Sequence, residues 1–195
     1  MHGSLRIVEQ CSSDLTAYAT VPIAFEVCEV LDARALEALS CGMPFESTPL
    51  NRTWIKDYDT CPGHHPTEWP DKFDLTEWIF LGAFRDAVRM GCAAAVAGAS
   101  ARELLDHSSD AALLWDLRVD PRTRRSGTGS ALLARVEAWA LARGARRLCV
   151  ETQQINVPAF RFYVRHGFRL IRASPGAYPA FPDEIRLILE KKLEA

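Results

Sequence analysis

The stretch Asp120-Pro121-Arg122-Thr123-Arg124-Arg125-Ser126-Gly127-Thr128-Gly129 constrains this chain more than any other. It follows an apolar run at 111–119 and precedes an amphipathic run at 130–143. A strand therefore meets a helix through a turn rich in Gly and Arg. Its Arg124-x-x-Gly127-x-Gly129 core leaves backbone N–H groups bare at a helix N-terminus. Those amides, the helix dipole and nearby guanidinium charge together favour a bound pyrophosphate. Arg118, Arg122, Arg124 and Arg125 cluster around the turn, and the sites expected for a phosphate-bearing cofactor are Arg124, Arg125, Ser126, Gly127, Thr128, Gly129 and Ser130.

A chain of 195 residues with 48% hydrophobic content suits one domain spanning 1–195. The formal net charge of -2 gives no reason to expect a nucleic-acid partner. No run of about 18 or more apolar residues is present, so no membrane span is expected. The first ten residues lack a signal-type apolar core, and the six cysteines include no Cys-x-x-Cys pair. The expected setting is a reducing cytoplasm with free thiols. Cys61-Pro62-Gly63-His64-His65 lacks a second ligand pair at a recognisable spacing, and no metal site is expected.

Along the chain, residues 25–31 alternate loosely and are expected to form the first strand. Helical spacing over 32–39 ends at Cys41-Gly42-Met43-Pro44. Residues 44–70 lose periodicity and are expected to be a long loop with at most a helical turn. Strands are expected at 77–85 and 92–97, joined as an antiparallel hairpin by a turn at 86–91, with 100–110 as a connection. Then the order changes to a strand at 113–119, a helix at 129–143 stopped by Gly144, a strand at 147–152, a helix at 156–166 stopped by Gly167, and closing strands at 168–172 and 184–190. Antiparallel strands followed by β-α-β-α-β indicate an α/β fold with a mixed sheet. The helical crossover makes the strands ending at Val119 and near Thr152 parallel, and ligands in such folds bind beyond the strands' carboxyl ends.

The second motif lies there: Glu151-Thr152-Gln153-Gln154-Ile155-Asn156-Val157-Pro158-Ala159-Phe160-Arg161-Phe162-Tyr163, then His166-Gly167-Phe168. Asn156-x-x-Ala159-x-x-x-Tyr163 sets Asn, Ala and Tyr on related turns of one helix. Pro158 fits the first turn, where a missing N–H does no harm. Ala159 is small enough for a ligand to lie against the helix, and Tyr163 can offer a phenolic proton to a leaving thiolate. Taken singly, Tyr163 reads as a packed aromatic and Asn156 as an N-cap.

Together, the two motifs, about thirty residues apart, resemble the acyl-CoA-binding region of the GCN5-related N-acetyltransferases (GNAT), strongest over residues 113–170, with a core at about 111–172. The resemblance implies the GNAT fold, with a splayed parallel pair of strands and acetyl-CoA held between the strand ending at Val119 and the one ending near Thr152. It also implies a polarising backbone N–H from Leu117, Arg118 or Val119, with Asn156, Ala159 and Phe162 on the cofactor side. A narrower resemblance, carried by Asp116-Leu117-x-Val119, Glu151-Thr152-Gln153 and Phe25-Glu26-Val27, is to the streptothricin acetyltransferases. Residues 61–74 and Glu184-Ile185-Arg186-Leu187 match that family poorly, which leaves the acceptor open.

Acetyl transfer to an amine needs a base, because an alkylamine with a pKa near about 10.4 arrives protonated. Glu151 and Asp116 are the candidates, with Glu151 first because it sits beyond the strand end; for either, the competing role is a structural pair with an arginine such as Arg118 or Arg147. Tyr163 would protonate the departing thiolate, and Cys149 is expected to be a packed strand residue. Segment 57–77 carries Asp57, Asp59, Glu68, Asp71, Asp74 and Glu77 with Tyr58, Trp69 and Phe73. It reads as a solvated acidic loop or as an acidic, aromatic wall for a polycationic acceptor. The leading expectation is an acetyl-CoA-dependent N-acetyltransferase, monomeric or homodimeric, acting on a small cationic amine, with streptothricin-like antibiotics the first candidate class. The alternatives are a peptide or protein N-acetyltransferase and a CoA-binding module without turnover.

Overall fold

The structure is a computed structural model that describes residues 3–32, 45–98 and 110–194. The expected helix at 32–39, its stop at Cys41 to Pro44 and nearly all of the connection at 100–110 lie outside the described residues. The chain forms two compact units. The first comprises residues 1–24, 57–148 and 193–195, and the second residues 25–56 and 149–192.

In the first unit the strands are β1 (Leu5–Gln10), β4 (Trp78–Arg85), β5 (Val88–Val96) and β6 (Ala111–Val119), in the order β1-β4-β5-β6. All three pairings are antiparallel. The expected hairpin is present, with Trp78 opposite Val96 and Arg85 opposite Val88. Its turn is tighter than the expected 86–91 and contracts to Asp86 and Ala87. Asp86 takes φ 55, a left-handed conformation that Asp tolerates better than most residues.

Two short helices, α1 (Leu15–Tyr18) and α2 (Trp69–Lys72), join this unit. Their aromatics meet those of the sheet: Trp69 lies 5.6 Å from Tyr18, 6.1 Å from Trp78 and 6.3 Å from Trp115, ring centre to ring centre. The longer helix α3 (Thr128–Ala142) buries Leu132, Leu133, Val136, Trp139 and Ala140, spaced three and four residues apart, so one stripe faces the sheet. Its close approach to β5 depends on Gly91. A Cβ there would lie 2.6 Å from the Arg118 carbonyl oxygen and 3.3 Å from Leu132 Cδ1.

In the second unit β2 (Phe25–Leu31) pairs antiparallel with β3 (Ser47–Lys56). β7 (Arg147–Gln153), mostly in this unit, β9 (Arg186–Lys192) and β8 (Arg169–Ser174) follow in the order β7-β9-β8, with β8 and β9 antiparallel. Helix α4 (Val157–Arg165) stands between β7 and β8.

Two expectations are corrected. The strand at 25–31 is present with those bounds but is second, because β1 precedes it. The expected long loop at 44–70 contains a ten-residue strand, β3, and two 3-10 turns before α2. β3 was hidden because its residues are almost all exposed, with Pro49 inside it, so it carries no alternation of apolar and polar positions.

Candidate active site

β6 ends at Val119, and Asp120 turns the chain. Its carboxylate accepts from the Arg122 amide at 2.9 Å and pairs with the Arg122 guanidinium at 2.6 Å. These bonds hold Asp120 below the usual carboxylate range. Arg124 donates to two backbone carbonyls, Ala24 at 3.1 Å and Val119 at 3.4 Å, which pins the start of the turn. The next residues need unusual backbone: Arg125 has φ 62 and Gly127 φ 85. Gly127 is the N-cap of α3 and, lacking a side chain, supplies no side-chain cap to the first helical turn. Its carbonyl accepts the helix's first bond, from the Ala131 amide at 3.0 Å. The exposed Arg125 guanidinium has no partner among the described residues. A helix N-terminus with no side-chain cap from its N-cap residue, beside the exposed Arg125 guanidinium, suits the diphosphate of a coenzyme.

Asp116 and Arg118 point from β6 into the body of this unit. Asp116 is 8% exposed; it accepts the Tyr18 hydroxyl at 2.7 Å and the Arg118 Nε at 2.9 and 3.0 Å on its two oxygens. Arg118 is fully buried and also bonds Asp59 through both terminal nitrogens, at 2.6 and 2.9 Å, and the Val21 carbonyl at 3.3 Å. The Tyr18 phenol is pushed well up by burial and by the Asp116 charge. The structural pairing with a local arginine is thus what Asp116 has.

Four carboxylates of the acidic segment at 57–77 bond within the first unit. Asp57 caps the Asp59 amide, Asp59 holds Arg118, Glu68 accepts from the Gly63 amide and Asp74 bonds Thr76. Trp69 and Phe73 pack with Trp78 and Trp115. Among the described residues there is no group of three or more His, Cys, Asp and Glu able to hold a metal.

In the second unit, Glu151 is exposed near the end of β7. Its Oε1 accepts the Tyr178 hydroxyl at 2.7 Å, and that hydroxyl also accepts from Gln153 Nε2 at 3.0 Å. Burial, and then the Glu151 charge, push the Tyr178 phenol far above its ordinary value. Sequence reasoning passed over Tyr178 because it stands in the aperiodic Gly176-Ala177-Tyr178-Pro179 stretch, with no motif spacing to mark it.

Asn156 caps α4, its Oδ1 accepting from the Ala159 amide at 3.3 Å, with Pro158 in the first turn. Ala159 and Phe162 are half-buried along the helix. Tyr163 is buried, its ring 5.3 Å from Phe162 and 5.4 Å from Phe168. Cys149 is buried in β7.

Comparison with known proteins bears on both segments. Residues 50–168 match the family model described as Acetyltransferase (GNAT) family. A Bacillus subtilis (strain 168) protein, Streptothricin acetyltransferase A, is 37% identical over 71 residues, which cover 36% of this chain and 41% of that protein's length. Nourseothricin acetyltransferase superposes with a TM-score of 0.73 over 97% of this chain and 99% of its own, at 21% identity. A Bacillus anthracis str. Ames protein assigned as a streptothricin acetyltransferase, solved in complex with acetyl coenzyme A, gives 0.74 over 98% and 99%, at 20% identity. These structures share the fold of this chain.

Proposed function

This chain belongs to the acetyltransferase (GNAT) family, whose members use acetyl-CoA, and from that premise we propose that it moves an acetyl group from acetyl-CoA to a primary amine of a small cationic acceptor. The observation that carries the reading is the family match over residues 50–168, which contains both the glycine turn and the β7–α4 segment. The likeness to streptothricin acetyltransferases supports streptothricin-like antibiotics as the first acceptor class.

In this reading the uncapped first turn of α3, with Arg125 beside it, binds the donor's diphosphate. The backbone of Leu117, Arg118 and Val119 supplies an N–H toward the thioester carbonyl oxygen, where negative charge develops as the amine attacks, a contribution typically of about 3 kcal/mol. Glu151 attracts the acceptor's ammonium and takes its proton, directly or through water, so that the neutral amine forms the new C–N bond. The C–S bond breaks and Tyr163 gives a proton to the departing thiolate. Asn156 and Ala159 shape the helix end along which the donor lies. Asp116 is committed to Tyr18 and Arg118 and acts by holding β6 in place. The direct test measures thiol release from acetyl-CoA against streptothricin, aminoglycosides, polyamines and peptides. Turnover with streptothricin is expected; no turnover with any amine in the panel sinks the proposal.

A further inference from the structure

Glu151 is anchored at one oxygen only. Oε1 is held by the Tyr178 hydroxyl, and the side chain is exposed with no other partner among the described residues. Tyr178 is itself steadied. Gln153, two residues along β7 from Glu151, donates to its oxygen. The chain after Tyr178 is fixed at several points. The Phe181 amide bonds the Tyr178 carbonyl at 3.0 Å, and the Lys56 ammonium sits 3.3 Å from the centre of the Phe181 ring while it pairs with the buried Glu184. Gln154 then bonds the Asp183 carbonyl at 2.8 Å and the Ile185 amide at 2.6 Å. A phenol on so constrained a loop arrives at the carboxylate with little rotamer freedom left to lose.

We propose that Tyr178 is a positioning residue for acetyl transfer: its hydroxyl fixes the rotamer of Glu151 and turns the second carboxylate oxygen toward the acceptor amine. This rests on the reading of Glu151 as the base. A carboxylate on a strand end otherwise samples several staggered rotamers, and general-base catalysis needs the oxygen within hydrogen-bond reach of one proton. Tyr178 is suited to the task because it stays a donor. Burial and the neighbouring negative charge keep its proton on throughout the working range. The groups facing it are Glu151 and Gln153 from β7 and Arg186 from β9, whose positive charge acts in the opposite sense on the phenol.

The test compares Tyr178→Phe, Gln153→Leu and Glu151→Gln with the wild type, using streptothricin and acetyl-CoA. Tyr178→Phe is expected to lower kcat/KM for the acceptor about tenfold, as for loss of one hydrogen bond to a charged group. The loss should fall on kcat and leave the KM values for the acceptor and for acetyl-CoA unchanged. Gln153→Leu is expected to do the same to a smaller extent. A wild-type kcat in Tyr178→Phe, with Glu151→Gln inactive, overturns this inference and leaves the base assignment standing. A Glu151→Gln variant as active as the wild type overturns both. Room-temperature crystallography of the wild type and Tyr178→Phe gives a readout independent of turnover. One Glu151 rotamer in the wild type and several in Tyr178→Phe are expected, and a single unchanged rotamer in both refutes the inference.

Discussion

Asp116 on β6 and Glu151 on β7 look interchangeable in the sequence, each an acidic residue near the end of an apolar strand. Their surroundings make them opposites. Asp116 is buried, and its oxygens accept the Tyr18 hydroxyl and the Arg118 Nε. Glu151 is exposed and takes one phenolic donor. A buried carboxylate locked to a buried guanidinium holds chain segments together, and its removal strands a charge. A carboxylate with a free oxygen and a fixed rotamer can accept a proton. The type of residue at a strand end thus says less than the number of donors already committed to it.

The largest test of this contrast is Glu151→Gln. Its kcat is expected to fall by roughly 10²–10⁴-fold, as for loss of a general base. Its unfolding free energy should stay within about 0.5 kcal/mol of the wild type, since the side chain is exposed. Stopped assays and urea titration on one preparation read both, and a rate near wild type breaks the comparison. Asp116→Asn should behave in the reverse way. It leaves Arg118 with half its countercharge, and urea titration should show a loss of about 3 kcal/mol. A fully stable Asp116→Asn protein that has lost its rate would instead make Asp116 a participant.

A third variant moves the comparison from side chains to backbone. A Cβ at Gly127 meets nothing within 4 Å, so Gly127→Ala tests the left-handed conformation alone. A loss of about 1–2 kcal/mol in thermal or urea unfolding is expected. No loss would mean that the turn relaxes easily and is not held in that shape. The smallest effect concerns a third carboxylate, intermediate in burial. Glu29 bonds Arg161 and Ser47, and these bonds hold it below the usual carboxylate range. Its contribution is complete above the unfolded value of about 4.3 and disappears as pH falls through the lower folded value. The stability gap between wild type and Arg161→Leu should therefore be present at neutral pH and close in strong acid; a gap unchanged by acid refutes the pair's role.

The parts legible in the sequence were those with a period or a fixed spacing. The strand 25–31 and helix α3 showed their buried faces directly, and Gly127 marked the left-handed cap between β6 and α3. β3 and β1 were not legible. Neither strand has a fully buried residue, so neither puts a strong demand on side-chain polarity, and hydrogen bonding to a neighbour, which leaves no trace in sequence, defines them. The division of labour between Asp116 and Glu151 was equally hidden. It depends on Tyr18, which lies 98 positions from Asp116, on Asp59, 59 from Arg118, and on Tyr178, 27 from Glu151, pairings that only the fold brings together.

The Arg118 fork ties Val21, Asp59 and Asp116 at one point, and its bonds to Val21 and Asp59 close loops of 97 and 59 residues. Closing such loops is an entropic cost that precedes any gain from the contacts. The fork is therefore expected to assemble late in folding and to open only when the first unit opens as a whole. Its guanidinium protons become a natural reporter of cooperative unfolding, and the few residues around Val21, before the β2 strand, become a clasp whose removal would loosen a sheet they never join.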